Sequence, residues 1–213
     1  LGGDGDAQPM SLVPAEFAVA IAGVETRLPI VPLNSTVAIA LLMVIDQGVA
    51  FGARVGAALA EQARPLSPEI VVGAATLGIP VAIEVSRALG LDDYVVLQKS
   101  PKIHLADALR ESVRSVTSHG EQVLMLDRRA VPLLAGRRVL VVDDVVSTGS
   151  SLAAMLRLVR RAGGEVVGVG VILTEGHDWR AVLGPDAGLV CGLGHIPVFR
   201  IADGRAEAMA ETL

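Results

Sequence analysis

The sequence predicts an α/β fold built on a doubly wound, mainly parallel sheet. Three observations predict it. Hydrophobic residues make up 52% of the 213 residues, yet only one Trp, one Tyr and three Phe are present. The core must therefore be Val, Leu, Ile and Ala, a composition suited to strands buried on both faces. Short apolar runs alternate with helical stretches, the β-loop-α rhythm that gives right-handed crossovers. One run, from Val139 to Val142, leads directly into two acids, a small polar loop and a helix. Ligands of such sheets sit at the carboxyl ends of strands.

Residues 1–12 are rich in Gly and Asp and read as a loose, disordered leader. Residues 17–22 and 25–30 read as short strands around Gly23, with Pro29 and Pro32 ending regular structure. Asn34 or Ser35 is placed to cap a helix running through the apolar stretch to Ile45. A second helix is expected over 49–62, where Ala, Val and Leu gather on one side. Residues 69–73 form a strand, 79–89 a helix closed by Gly90, and 94–97 another strand. Residues 99–109 show no clear period. Residues 113–117 and 122–126 are expected to pair as a hairpin around His119-Gly120. Residues 138–142 are a strand, 150–161 a helix stopped by Gly163-Gly164, 166–173 a strand, and 188–193 one more.

Bulk properties narrow the partners. The formal net charge of −5 gives no general attraction to nucleic acid. Cys191 is the single cysteine, so no intrachain disulfide forms, and no Cys/His cluster has zinc spacing. The longest apolar run, 37–45, is too short to span a bilayer. The first residues lack the basic start of a secretory signal, so a cytoplasmic location without membrane partners is expected.

The segment Val139-Leu-Val-Val-Asp143-Asp144-Val-Val-Ser147-Thr148-Gly149-Ser150-Ser151 carries the chemistry. Amides at a helix start, with the positive end of its dipole, attract a phosphate. Gly149 admits close approach, and the Ser and Thr hydroxyls add donors. Neighbouring carboxylates accept hydrogen bonds from vicinal hydroxyls, so phosphate and diol together describe ribose 5-phosphate. The plain alternative is a strand end with two solvated acids before a Ser-capped helix. A receiver domain also ends a strand in Val-Val-Asp-Asp. It needs a later phosphoacceptor, however, and Asp178, Asp186 and Asp203 do not follow suitable apolar runs.

This segment resembles the phosphoribosyl diphosphate motif of type I phosphoribosyltransferases. The resemblance extends over about 69–175. It implies that family's doubly wound sheet, with a core near 48–175 and a small hood from 13–47 and 176–213, all in one domain. Asp143 and Asp144 would face the ribose hydroxyls, and Ser147, Thr148, Gly149, Ser150 and Ser151 would hold the 5-phosphate. Ala75, Thr76, Leu77 and Gly78 stand where the family places its diphosphate loop, with Lys99 nearby. The sequence departs from the adenine-type pattern there, with Ala75 for an acid and Leu77 for a frequent Arg.

Lys99, Lys102 and His104 match a Lys-x-x-Lys-x-His run of orotate-type members. By that likeness Lys102 and His104 act in catalysis from a mobile loop that reaches a neighbouring subunit, which implies a homodimer. Thr117 stands where adenine enzymes often place a Glu. Base recognition falls to the hood, where Arg27, Glu175 and Trp179 are the residues on offer. The implied activity joins a purine-type base to phosphoribosyl diphosphate, with Mg2+ carried by substrate and water. The alternative is a non-catalytic sensor of phosphoribosyl diphosphate, of the purine-repressor type.

Overall fold

A computed structural model describes residues 12–100, 107–113 and 122–213. In chain order the strands are β1 (Glu16–Ile21), β2 (Val24–Pro32), β3 (Val37–Ala40), β4 (Ile70–Ala74), β5 (Tyr94–Leu97) and β6 (Leu109–Val113). They continue as β7 (Gln122–Leu126), β8 (Arg138–Val146), β9 (Glu165–Glu175), β10 (Val190–Ile196), β11 (Val198–Ala202) and β12 (Arg205–Ala208). The α-helices are α1 (Val49–Ala63), α2 (Gly78–Leu89), α3 (Val131–Leu134), α4 (Ser150–Arg161) and α5 (Asp178–Leu183).

The central sheet has the order β10-β9-β8-β4-β5, and every neighbouring pair is parallel. Its strands are apolar on both sides. Leu140 and Val142 of β8 pack with Val55 and Leu59 of α1 and Val81 and Val85 of α2. Val139 and Val141 pack on the other face, with Leu152, Met155 and Val159 of α4. Burial on two faces explains why this strand reads as an unbroken Val/Leu run. From β4 the chain winds through α2 to β5, and from β8 it winds the other way through α4 to β9. The strand order therefore reverses between β4 and β8, and a crevice opens at their carboxyl ends.

The second sheet, β1-β2-β3-β11-β12, is antiparallel and draws strands from both ends of the chain. Its inner side chains, among them Ile21, Leu28, Ala38 and Phe199, share one buried cluster with α1 and α2. Beyond α4 lies the β6–β7 hairpin, where Arg157 and Arg161 hold Glu111 at 2.9 and 2.7 Å.

Three expectations from the sequence need correction. The stretch expected to be a helix up to Ile45 is strand β3 followed by a short 3-10 turn at Val44–Gln47. Asn34 does cap backbone amides, accepting from Thr36 N at 2.8 Å and Val37 N at 2.9 Å. That cap closes a turn into a hairpin, because the Leu33 and Asn34 amides both donate to the Val37 carbonyl. Pro29 lies inside β2, and only Pro32 ends it. They lie at the ends of its ladders, opposite Glu16 and Ala38, where a missing N–H costs little. The hairpin partner of β7 is residues 109–113, upstream of the expected arm. Leu126 pairs with Leu109, and this sets the register.

Candidate active site

Strand β8 runs past Val142 to Val146, so Asp143 and Asp144 belong to the strand itself. Neighbouring strand positions face opposite ways. Asp143 opens to a cavity of about 140 Å³ that it shares with Ser147, Thr148, Gly149 and Ser151. Asp144 opens to a second cavity of about 270 Å³. Asp143 is 9% exposed, and its Oδ1 accepts from the Asp144 amide at 3.1 Å. Burial pushes its carboxyl up to about 8, helped by the charge and hydrogen bond of Asp144 and opposed by Lys99 and the Asp144 amide.

The loop after β8 is shaped for an anion. Gly149 has φ +80, and a Cβ there would lie 3.0 Å from the Trp179 backbone. The position therefore needs glycine twice over, for the left-handed backbone and for the space. Helix α4 starts at the next residue, and its first-turn amides have no acceptor within the helix. The Thr148 and Ser150 hydroxyls lie 3.3 Å apart at that end.

Facing this loop across the crevice is the turn from β4 to α2. The Ala75–Thr76 peptide is cis, and the Ala75 amide donates to the Leu97 carbonyl at 2.8 Å. Gly78 opens α2 directly over Asp143, since a Cβ there would sit 3.0 Å from Asp143 Oδ1. Lys99 follows β5 on the exposed surface, close enough for its charge to act on Asp143. The segment thus gathers Asp143, Gly78, Lys99 and the 147–151 loop at one strand edge. Lys102, His104 and Thr117 lie outside the described residues.

The second cavity is mostly aliphatic. Leu33, Ile39, Leu41, Leu42, Leu77 and Val145 line it, with Ala40, and its polar groups are Asp144, Ser147 and Glu175. Glu175, the last residue of β9, is 7% exposed. Burial raises its carboxyl pKa, while a hydrogen bond from the Ser147 hydroxyl and the neighbouring His195 pull it back.

Of the three hood residues expected to meet a base, only Glu175 lines this cavity. Arg27 sits on the surface of β2, with Glu25 at 3.4 Å and Glu16 at 4.0 Å, because its strand position faces away from the buried side. Trp179 is buried behind the 147–151 loop, and its indole N–H donates to the Gly176 carbonyl at 3.1 Å. Its ring packs in the α4 face of the core with Arg180 over it. The sequence reading missed the leucines at 33, 41 and 42. An apolar run of this length beside Pro32, too short for a membrane and next to a turn signal, is the trace they leave.

Residues 45–198 match the phosphoribosyl transferase domain family. The chain belongs to that family. An orotate phosphoribosyltransferase from Caldanaerobacter subterraneus subsp. tengcongensis is 36% identical over 115 residues, which are 54% of this chain and 49% of that protein. An adenine phosphoribosyltransferase from Thermobifida fusca is 39% identical over 119 residues, 56% of this chain and 64% of that protein. This phosphoribosyl transferase domain chain therefore spans about half the length of the orotate relative it matches. Among solved structures, the APRTase from Giardia lamblia complexed with 9-deazaadenine superposes with TM-score 0.61 at 18% identity, covering 86% of this chain and 97% of that one. The adenine phosphoribosyltransferase from Rhodothermus marinus gives 0.57 at 23% identity, over 85% and 94%. At such identities the likeness shows the fold.

Proposed function

We propose that the protein joins a purine-type base to the ribose 5-phosphate of phosphoribosyl diphosphate and releases diphosphate. One observation carries this reading: the anion-shaped cavity over the α4 start and the aliphatic cavity meet at the end of β8. Phosphoribose fills the first, with its phosphate on the 147–151 amides and the Thr148 and Ser151 hydroxyls and its diol against the two acids. The base fills the second, under the antiparallel sheet, which acts as the hood. Carbon C1 then lies at the junction, and the diphosphate lies toward Ala75–Gly78 and Lys99. Bond making costs less because both partners are held in place.

The chemistry of the base cavity selects the base. Its described lining has two acids and no basic side chain, which repels an anionic base such as orotate and suits a neutral ring with N–H donors. Adenine- and xanthine-named relatives support the same choice.

Magnesium fits this donor set as a passenger of the substrate. Among the described residues no three His, Cys, Asp or Glu side chains gather into a metal cage. Magnesium keeps phosphate oxygens and water as ligands, and Asp143 and Asp144 would meet that water shell. When bound it supplies charge neutralisation for the diphosphate. Lys102 and His104 are assigned to catalysis at the site of a partner copy, which makes the working unit a homodimer. No described helix is long and apolar enough to cross a membrane, and the reaction is assigned to the cytoplasm.

The test is diphosphate release from phosphoribosyl diphosphate and magnesium with a panel of adenine, hypoxanthine, guanine, xanthine, uracil and orotate. Release with one or more purines is expected. Release with orotate alone overturns the base assignment, and binding without release for any base makes the protein a sensor.

A further inference from the structure

Two residues line both cavities, Val145 and Ser147, and of the two only Ser147 carries a polar side chain. Its hydroxyl therefore stands at the junction where, on the transfer reading, the base meets C1. Behind it in the base cavity is Glu175, almost fully enclosed at the end of β9. No His, Lys or Arg shares the described lining. Asp144, the remaining acid, is assigned on the transfer reading to the sugar diol. Among the described lining residues, Glu175 is then the acid left to take a proton from the base.

We propose that Ser147 and Glu175 form a proton relay, in which Ser147 takes the proton from the base ring nitrogen while its own proton passes to the Glu175 carboxylate. Ser147 is then the catalytic residue and Glu175 a positioning and accepting residue behind it. The proposal rests on the transfer reading and deepens it. The step balances without a further reactant. The base nitrogen lone pair forms the bond to C1. The bond from C1 to the diphosphate oxygen breaks, and its electron pair leaves with diphosphate. The N–H proton ends on Glu175, and the reverse reaction returns it.

The surroundings of Glu175 suit this role. Burial makes the carboxyl hold a proton more strongly than a solvated glutamate would, which is the direction a general base needs. The titratable groups around it are Asp144 on β8, which lines the same cavity, and His195 on β10. His195 is itself fixed between Thr174 Oγ1 and the Thr212 carbonyl, each at 2.8 Å, with His177 stacked on its ring at 5.1 Å. The histidine pair is thus tied to its own partners and to the chain end, and does not line the base cavity.

The experiment measures kcat across pH for the full chain with whichever base supports turnover, in the wild type, Ser147→Ala, Glu175→Gln and Glu175→Asp. Thermal melts of each variant report folding. Both Ser147→Ala and Glu175→Gln are expected to lose about 100-fold in kcat. KM for phosphoribosyl diphosphate is expected to stay within about threefold of wild type. Glu175→Gln is expected to lose the acid limb of the kcat profile, and Glu175→Asp to recover part of the rate with a displaced limb. A Ser147→Ala enzyme that keeps kcat but binds phosphoribosyl diphosphate poorly overturns the relay and leaves Ser147 as a phosphate ligand. So does a folded Glu175→Gln enzyme with an unchanged profile. If Glu175→Gln does not fold, Ser147→Ala, at a half-buried loop position, decides alone. A wild type that releases no diphosphate with any base sinks the transfer reading itself, and the relay with it.

Discussion

Replacing Asp143 with asparagine removes a buried acid while keeping its shape. The side chain is 9% exposed, lies over the start of α2, and accepts the Asp144 amide at 3.1 Å, a bond the asparagine carbonyl also accepts. Its carboxyl is pushed up to about 8, by burial first and then by Asp144. The folded protein therefore holds a proton that the unfolded chain has already released. Stability from this group is fully present below the unfolded pKa near 4 and is lost as pH rises through the folded value. Inside that window the loss approaches about 1.4 kcal/mol per pH unit, so raising pH from about 5.5 to about 7.5 costs roughly 2 kcal/mol. In a chain of this size that is on the order of 4–8 °C in Tm. Asp143→Asn has no proton to lose, so its Tm curve should be flatter than the wild type's by that amount. Calorimetric melts of both proteins at the two pH values, without ligand, make the comparison. Turnover of the variant should fall at the same time, because the amide nitrogen of asparagine cannot accept from a diol hydroxyl as a carboxyl oxygen can, a hydrogen bond worth about 0.5–1.5 kcal/mol. Parallel Tm curves would refute the claim that this carboxyl is held neutral by the fold.

Gly149→Ala puts a Cβ 3.0 Å from the Trp179 backbone at φ +80. Left-handed strain and local overpacking together should cost about 2–4 kcal/mol, read by urea denaturation, and should weaken ribose 5-phosphate binding by calorimetry. Trp179→Ala should cost about 3–5 kcal/mol of stability yet leave the ranking of bases in the panel unchanged, because the ring belongs to the core and not to the base cavity. Leu41→Trp fills the aliphatic cavity. It should raise KM for the base by roughly tenfold or more while leaving KM for phosphoribosyl diphosphate near wild type, as steady-state kinetics with each substrate varied would show. Arg27→Ala, at an exposed site with long ion pairs, should change stability by no more than about 0.5 kcal/mol and leave turnover unaltered.

The elements around the 147–151 loop were the most legible. The strand from Arg138, the helix Ser150–Arg161 and the glycine between them follow from short-range chemistry: an aliphatic run, a small polar loop, and a residue free to adopt positive φ. The hood was less legible for an equally physical reason. The residues 37–40 bear no periodicity that separates strand from helix, and their hydrogen-bonding partners in β11 lie about 160 positions further on. The strands β11 and β12 and the short α5 carry too few residues to show a period, so they emerged only in the fold. Trp179 shows the same limit at a single residue. Its type put it among the residues on offer for the base, and only the β9–α5 turn shows that it enters the core.

What the sequence determined by itself is the central sheet and the order of its parts, because each strand, loop and helix there is specified by neighbours within a dozen residues. It also placed two acids and an amide-rich loop at one strand end. The tertiary structure alone decided which side chains share a cavity. Leucines near position 40, Leu77, Ser147 and Glu175 come together because antiparallel pairing folds both chain ends over the crevice. Such pairing depends on distant partners, and no local pattern encodes it.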